Sequence, residues 1–159
     1  MVSVKWCLEQ RGGLDIVEPS KTVSDSYIRM AEESIRTLPN VRDSRIWTAA
    51  TAYYVFYYSL YSLMIRLGVK CGIHSCSLEF MKRYLGEFYG LKDVEMMESA
   101  FGARIDLQYY SDRPVDEGRI KDASGYCKTF FIKTKDALSK LTEKQAREIR
   151  ETLKAGMKK

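Results

Sequence analysis

The sequence predicts an all-α protein, an antiparallel up-and-down bundle of four main helices with shorter helices at its ends. Three observations predict it. Apolar residues recur at the 3–4–3 spacing of one helical face through most of the chain, and no useful stretch alternates with period two. Only three prolines and ten glycines interrupt 159 residues, too few for a turn-dense β protein. That length suits a single domain over residues 1–159, since one core usually spans roughly 100–200 residues. At 45% hydrophobic and 30% charged residues, the composition excludes a disordered chain.

Residues 1–19 read as an irregular arm or short edge element, with Gly12-Gly13 as a turn and Pro19 as a stop. A first helix begins between Ser20 and Ser24, buries Ile28, Ala31, Ile35 and Leu38, and ends at Pro39. Asp43 or Ser44 caps a second helix that runs to Leu67, with Gly68 as terminator. Residues 46–65 of this helix carry no charge, which is about the length that spans a bilayer. Five tyrosines, Tyr53, Tyr54, Tyr57, Tyr58 and Tyr61, sit at its centre, and phenols favour membrane interfaces over the midplane. A helix buried by protein is therefore expected, with no membrane span.

A loop over 69–74 leads to Ser75, the expected N-cap of a third helix with Leu78, Met81, Leu85 and Phe88 inward and Gly90 at its close. A fourth helix covers about 92–110, its face formed by Val94, Met97, Phe101 and Ile105, and Pro114 breaks it. Asp116 opens a fifth, long helix through Ile120, Ala123, Cys127, Phe130, Thr134, Leu138 and Leu141. Thr142-Glu-Lys-Gln145 is a capping-box pattern, opening a basic C-terminal helix over 142–159 with Ala146, Ile149 and Leu153 inward.

The charge is uneven. Lys plus Arg is 26 and Asp plus Glu is 21, a net +5 with a pI near 9.0. Residues 128–159 hold ten basic and four acidic residues, whereas residues 1–127 hold sixteen and seventeen. The excess belongs to the C-terminal helices, whose charged side is expected to be a solvated face, so it is weak support for a general nucleic-acid channel.

The N-terminus lacks the apolar stretch of a signal peptide. Cys7, Cys71, Cys76 and Cys127 are therefore expected as reduced thiols in a cytoplasmic protein. Cys71-Gly-Ile-His74-Ser-Cys76 contains metal-type ligands, and Cys127 is the remaining cysteine that could approach. No second cysteine pair has zinc-site spacing, so no metal and no cofactor are expected. No strand is expected, hence no Rossmann or P-loop site. His74 is the single histidine, which removes two-histidine mechanisms within one chain, and no Gly-x-Ser-x-Gly signature is present.

Arg104 is the more informative residue. With Gln108 it falls on the flank of the apolar stripe of the fourth helix, beside Met97, where an unpaired buried charge is costly. Two readings follow. In one, Arg104 snorkels or pairs with a carboxylate such as Glu79 or Asp112. In the other, it stands in a cleft ready for a phosphate, near Tyr109 and Tyr110. Tyr54, Tyr57, Tyr58 and Tyr61 share one helical face, spacing that suits a core or interface before a base-stacking platform. Arg104, Gln108 and His74 are the candidate partners for these phenols.

The order of these features is a Tyr-rich helix opening with Ala49-Ala50-Thr-Ala52-Tyr53-Tyr54, then Ile73-His74-Ser75 before the next helix, then Arg104-Ile-Asp-Leu-Gln108-Tyr109-Tyr110. It resembles the HEPN superfamily (higher eukaryotes and prokaryotes nucleotide-binding domain), in particular its short single-domain prokaryotic members, over about residues 24–141. The resemblance implies the four-helix bundle, a homodimer with the Arg motif in a cleft at the interface, and a minimal nucleotidyltransferase partner in a toxin–antitoxin pair. In ribonuclease members an Arg, then four to six intervening residues, then a His form a metal-independent RNA-cleaving centre. Here Tyr109, Tyr110 and Ser111 occupy those positions, and a phenol with a pKa near 10 is a poor general base at neutral pH. The resemblance thus carries over Arg104 as the phosphate contact and Tyr109 as its companion, with Gln108 and Tyr54 beside them. His74 serves as an acid–base group only where the fold sets it next to Arg104. The expected function is binding of a nucleotide or RNA phosphate, or of a nucleotidyltransferase, without catalysis of its own. A ribonuclease toxin and a structural dimeric partner are the alternatives.

Overall fold

Local capping chemistry sets most of the helix ends. In a computed structural model that describes residues 2–158, the elements are α1 (Val4–Glu9), β1 (Leu14–Ile16), α2 (Lys21–Thr37), α3 (Arg45–Leu67), β2 (Val69–Cys71), α4 (His74–Tyr84), α5 (Leu91–Tyr109), α6 (Glu117–Lys140) and α7 (Glu143–Met157). Ser20 Oγ accepts from Val23 N at 3.2 Å, and Ser44 Oγ from Trp47 N at 3.2 Å. Asp116 and the Thr142–Gln145 box open α6 and α7 in the same way. A 3-10 turn over Leu38–Val41, containing Pro39, separates α2 from α3. Gly68 ends α3 in the left-handed region, φ 82°, where a side chain would be strained.

The protein is mostly helical, and α3 is its axis. Helices α2, α5 and α6 all pack on it. Tyr53, Phe56, Leu60, Leu63, Met64 and Leu67 are almost completely removed from solvent, and each such side chain stabilises by about 1.5–3 kcal/mol. Helix α6 contributes Cys127 and Phe130 to the same core, and Tyr89 joins it by a hydrogen bond to Thr134 at 2.7 Å. A smaller cluster of Ala49, Ala103, Val115 and Ile120 holds the ends of α3 and α5 against the start of α6. No described helix is long and apolar enough to cross a membrane.

Four expectations are corrected. The N-terminal arm contains a helix, α1, whose first turn is capped by Ser3. Two strands exist: β1 pairs antiparallel with β2, Leu14 opposite Cys71 and Ile16 opposite Val69. At three residues each, they are too short to display alternation. The third helix begins at His74, with Ile73 as an N-cap that offers no side-chain bond, instead of after Ser75. It also ends early, because Leu85 turns the chain and its carbonyl accepts from the N–H groups of Phe88 and Tyr89. Gly90 then caps α5, donating to Asp93 at 2.7 Å.

The thiol expectation is overturned for two of the four cysteines. Cys7 and Cys76 form a disulfide that joins α1 to α4 across 69 positions of sequence. Packing of α1 on α4 brings their Cα atoms to 5.7 Å, inside the range a bridge requires. Cys71 and Cys127 remain free and buried, and burial raises both thiol pKa values, that of Cys127 to about 11. The helical frame is further tied at Asp93, whose side chain is shielded from solvent. Burial pushes this carboxyl up, but hydrogen bonds from Lys133, Tyr126 and Gly90 outweigh it and hold it below the usual carboxylate value.

Candidate functional site

Helices α2 and α5 both pack on α3, and a groove of about 500 Å³ runs over α3 between them. The four residues expected to hold a phosphate, Tyr54, Arg104, Gln108 and Tyr109, line it together. They arrive there by helical register. Arg104 and Gln108 stand one turn apart on α5, and Tyr54 and Tyr58 one turn apart on α3.

Arg104 is half-buried, and its guanidinium lies 5.1 Å from the centroid of Tyr53 and 5.2 Å from that of Tyr54. These cation–π contacts are worth about 0.5–2 kcal/mol and leave the hydrogen-bond donors of the fork unused. Its Nε is buried and has no hydrogen-bond partner among the described residues. No carboxylate among the described residues lies within ion-pairing distance of it. Glu79, one of the two anticipated partners, instead pairs with Lys82. Asp112, the other, is exposed and forms no ion pair with Arg104. Asp106, two residues along α5, is already held by Arg113 and Arg119. The cation is thus oriented by aromatic faces and neutralised by no described carboxylate.

His74 takes a different place. It does not line the groove but lies behind it, where Tyr53 Oη meets His74 Nδ1 at 2.7 Å. Its ring stacks on Tyr57 with centroids 4.0 Å apart and planes 4° from parallel. Burial and the nearby Arg104 charge both lower its pKa from the ordinary 6.5, so the ring is neutral at pH 7. Burial also raises the Tyr53 pKa, against a smaller opposing effect of Arg104. The phenol therefore keeps its proton, and the Tyr53 Oη–His74 Nδ1 hydrogen bond joins two neutral groups at pH 7. Of the anticipated phenol partners, His74 forms a hydrogen bond and Arg104 a cation–π contact. Tyr61 Oη is used differently, accepting from Cys71 N at 3.3 Å.

The remaining cysteine–histidine idea fails on geometry. Cys76 is consumed by Cys7, and Cys127 faces Ser124 O within α6. Among the described residues, no group of three His, Cys, Asp or Glu side chains is placed to hold a metal.

Among the groove residues that sequence reasoning missed are Trp47 and Glu33. Trp47, 59% exposed, stands at one end of the α3 face, seven residues before Tyr54. That spacing was a usable signal. Glu33 comes from α2, and no pattern in the sequence links it to Arg104. The groove thus carries one guanidinium, one carboxylate and several aromatic rings, while the lysines of α6 and α7 lie elsewhere. Comparison of the chain with protein-family models, characterised proteins and solved structures yields no match.

Proposed function

We propose that this is an HEPN-like domain that binds the phosphate of a nucleotide or RNA in the groove beside Arg104, without catalysis of its own. The observation that carries the reading is the state of Arg104: oriented by Tyr53 and Tyr54, buried at Nε, and paired with no carboxylate among the described residues. A guanidinium fork matches phosphate geometry, and a half-buried site strengthens each charge-assisted bond. Gln108 supplies an amide to the same groove, and Trp47 and Tyr109 supply rings on which a base can stack. In this reading α2, α3, α5 and α6 are the four helices of the antiparallel HEPN bundle. In the same reading, the exposed rings of Trp47 and Tyr109 would offer a contact surface to a second copy or a nucleotidyltransferase partner.

The ribonuclease alternative draws on one observation, that Arg104 and His74 contact the same Tyr53 ring. Against it, His74 is stacked, hydrogen-bonded through Nδ1 and outside the groove lining, so a phosphate on Arg104 does not meet it directly. A purely structural Arg104 would rest on its contacts with the Tyr53 and Tyr54 rings alone, since no carboxylate among the described residues pairs with it.

Calorimetric titration with AMP, inorganic phosphate and a short RNA tests the reading. Arg104→Ala is expected to weaken nucleotide binding at least about tenfold, the loss of one charge-assisted contact. Equal binding by wild type and variant would remove Arg104 from the site. RNA cleavage that disappears in both Arg104→Ala and His74→Ala would establish the ribonuclease alternative instead.

A further inference from the structure

A site for a polynucleotide should be lined with several cations, because each phosphate along the strand needs neutralising. The Arg104 groove is not. Its lining holds one Arg, no Lys and one carboxylate, Glu33, so its formal charge is zero. Glu33 projects from α2 while Arg104 projects from α5, and the two do not form an ion pair. The Glu33 carboxylate lies close enough to Tyr58 to help raise that phenol's pKa, after the larger effect of burial. A carboxylate held apart from the sole cation of a phosphate site repels a second phosphate and accepts hydroxyl or amine donors. Paired hydroxyls are what a ribose presents next to its phosphate, and carboxylates are suited to accept from them.

We infer that the groove takes a single ribonucleoside phosphate, with its phosphate on Arg104 and its 2′- and 3′-hydroxyls on Glu33, and that Glu33 excludes a continuous RNA strand. The inference rests on the phosphate reading of Arg104 and adds the class of ligand and its selecting residue. Ser34 and Thr37, on the same wall as Glu33, offer further hydroxyl partners. The basic surface of α6 and α7 plays no part in it.

The test is a set of titrations of the full chain with AMP, 2′-dAMP, inorganic phosphate and an eight-nucleotide single-stranded RNA, for wild type, Glu33→Gln and Arg104→Lys. Glu33 is exposed, so Glu33→Gln leaves the fold intact. AMP is expected to bind roughly tenfold more tightly than 2′-dAMP, the worth of one hydrogen bond to a charged acceptor. Glu33→Gln should narrow that difference, weakening AMP more than 2′-dAMP, which keeps only its 3′-hydroxyl, and should improve binding of the RNA. Arg104→Lys should weaken every phosphate ligand together. Equal affinity for AMP and 2′-dAMP in wild type overturns the inference and leaves the phosphate site standing. So does RNA binding tighter than AMP, with a log–log salt slope of several times about 0.7. If no probe binds, inorganic phosphate included, the phosphate reading of Arg104 falls with it.

Discussion

At the scale of single residues, the Arg104–Tyr53–His74 contacts form one electrostatic unit. Arg104 lowers the pKa of His74, and burial is the larger cause. The consequence for stability has a definite sign. Since the folded-state value lies below 6.5, the unfolded chain binds the His74 proton first as the pH falls. Stability is complete above about pH 6.5 and is lost progressively from there down to the lower folded value. As His74 is the single histidine, its NMR titration is unambiguous. Its midpoint should lie below 6.5 in the wild type and move upward in Arg104→Ala. A midpoint at or above 6.5 in the wild type would contradict the burial and the charge coupling of this ring. His74→Phe, which keeps a ring against Tyr57, should flatten the dependence of melting temperature on pH between 7 and 5. Asp93 acts in a separate window: its lowered pKa contributes stability that disappears only in stronger acid, below its ordinary 3.8.

At the scale of elements, two glycines in or beside helices should respond oppositely to the same substitution. Gly68 has a positive φ, and a Cβ there would stand 2.6 Å from Val17 O, whose segment carries β1 against β2. Gly68→Ala should destabilise by at least about 2 kcal/mol, combining left-handed strain with displacement of that strand. Gly125 lies inside α6, where an added methyl would meet nothing within 4 Å, so Gly125→Ala should stabilise by about 0.5–1 kcal/mol. Urea unfolding of the two variants measures both, and a shared sign would contradict the environments assigned to them. The same contrast explains what could be read in the sequence. Ser20, Ser44, Gly68, Asp116 and the Thr142–Gln145 box were legible because capping is decided within four residues. α1 and the two strands were not, since six- and three-residue elements owe their existence to partners distant in sequence. The α3 and α5 parts of the groove were legible from helical spacing, whereas Glu33 joined them only through packing of α2 on α3. His74 was legible as a partner of the tyrosines, but its position behind Tyr53 depends on where α4 begins.

At the scale of the whole molecule, the basic excess and the groove are separate features. The acids of α6 and α7 are largely spent on neighbouring lysines and arginines, as in Lys140–Asp136, Arg150–Glu143 and Lys154–Glu151. Such exposed pairs stabilise little. Arg150 does more: it is mostly covered and donates to Leu67 O at 2.8 Å, fastening α7 to the C-terminal end of α3. The Cys7–Cys76 bridge is the strongest global constraint. By the chain-entropy relation, closing a loop across 69 positions stabilises by about 4 kcal/mol. Reduction, or replacement of both cysteines by serine, should lower the urea midpoint accordingly, and an unchanged midpoint would show that the bridge does not form in solution.

The bridge also divides the chain mechanically. Pulled from its two ends, the oxidised protein can release only the segments outside the ring, residues 1–7 and 76–159, so α2 and α3 unravel without lengthening the tether. Reduction frees the 69 hidden positions, adding roughly 230–250 Å of extension at 3.3–3.6 Å per residue. Both walls that bear Glu33 and Tyr54 belong to the hidden length, while Arg104 belongs to the part that a pull can reach. Tension on the oxidised chain would therefore draw the guanidinium away from a carboxylate and a phenol that remain tethered to each other.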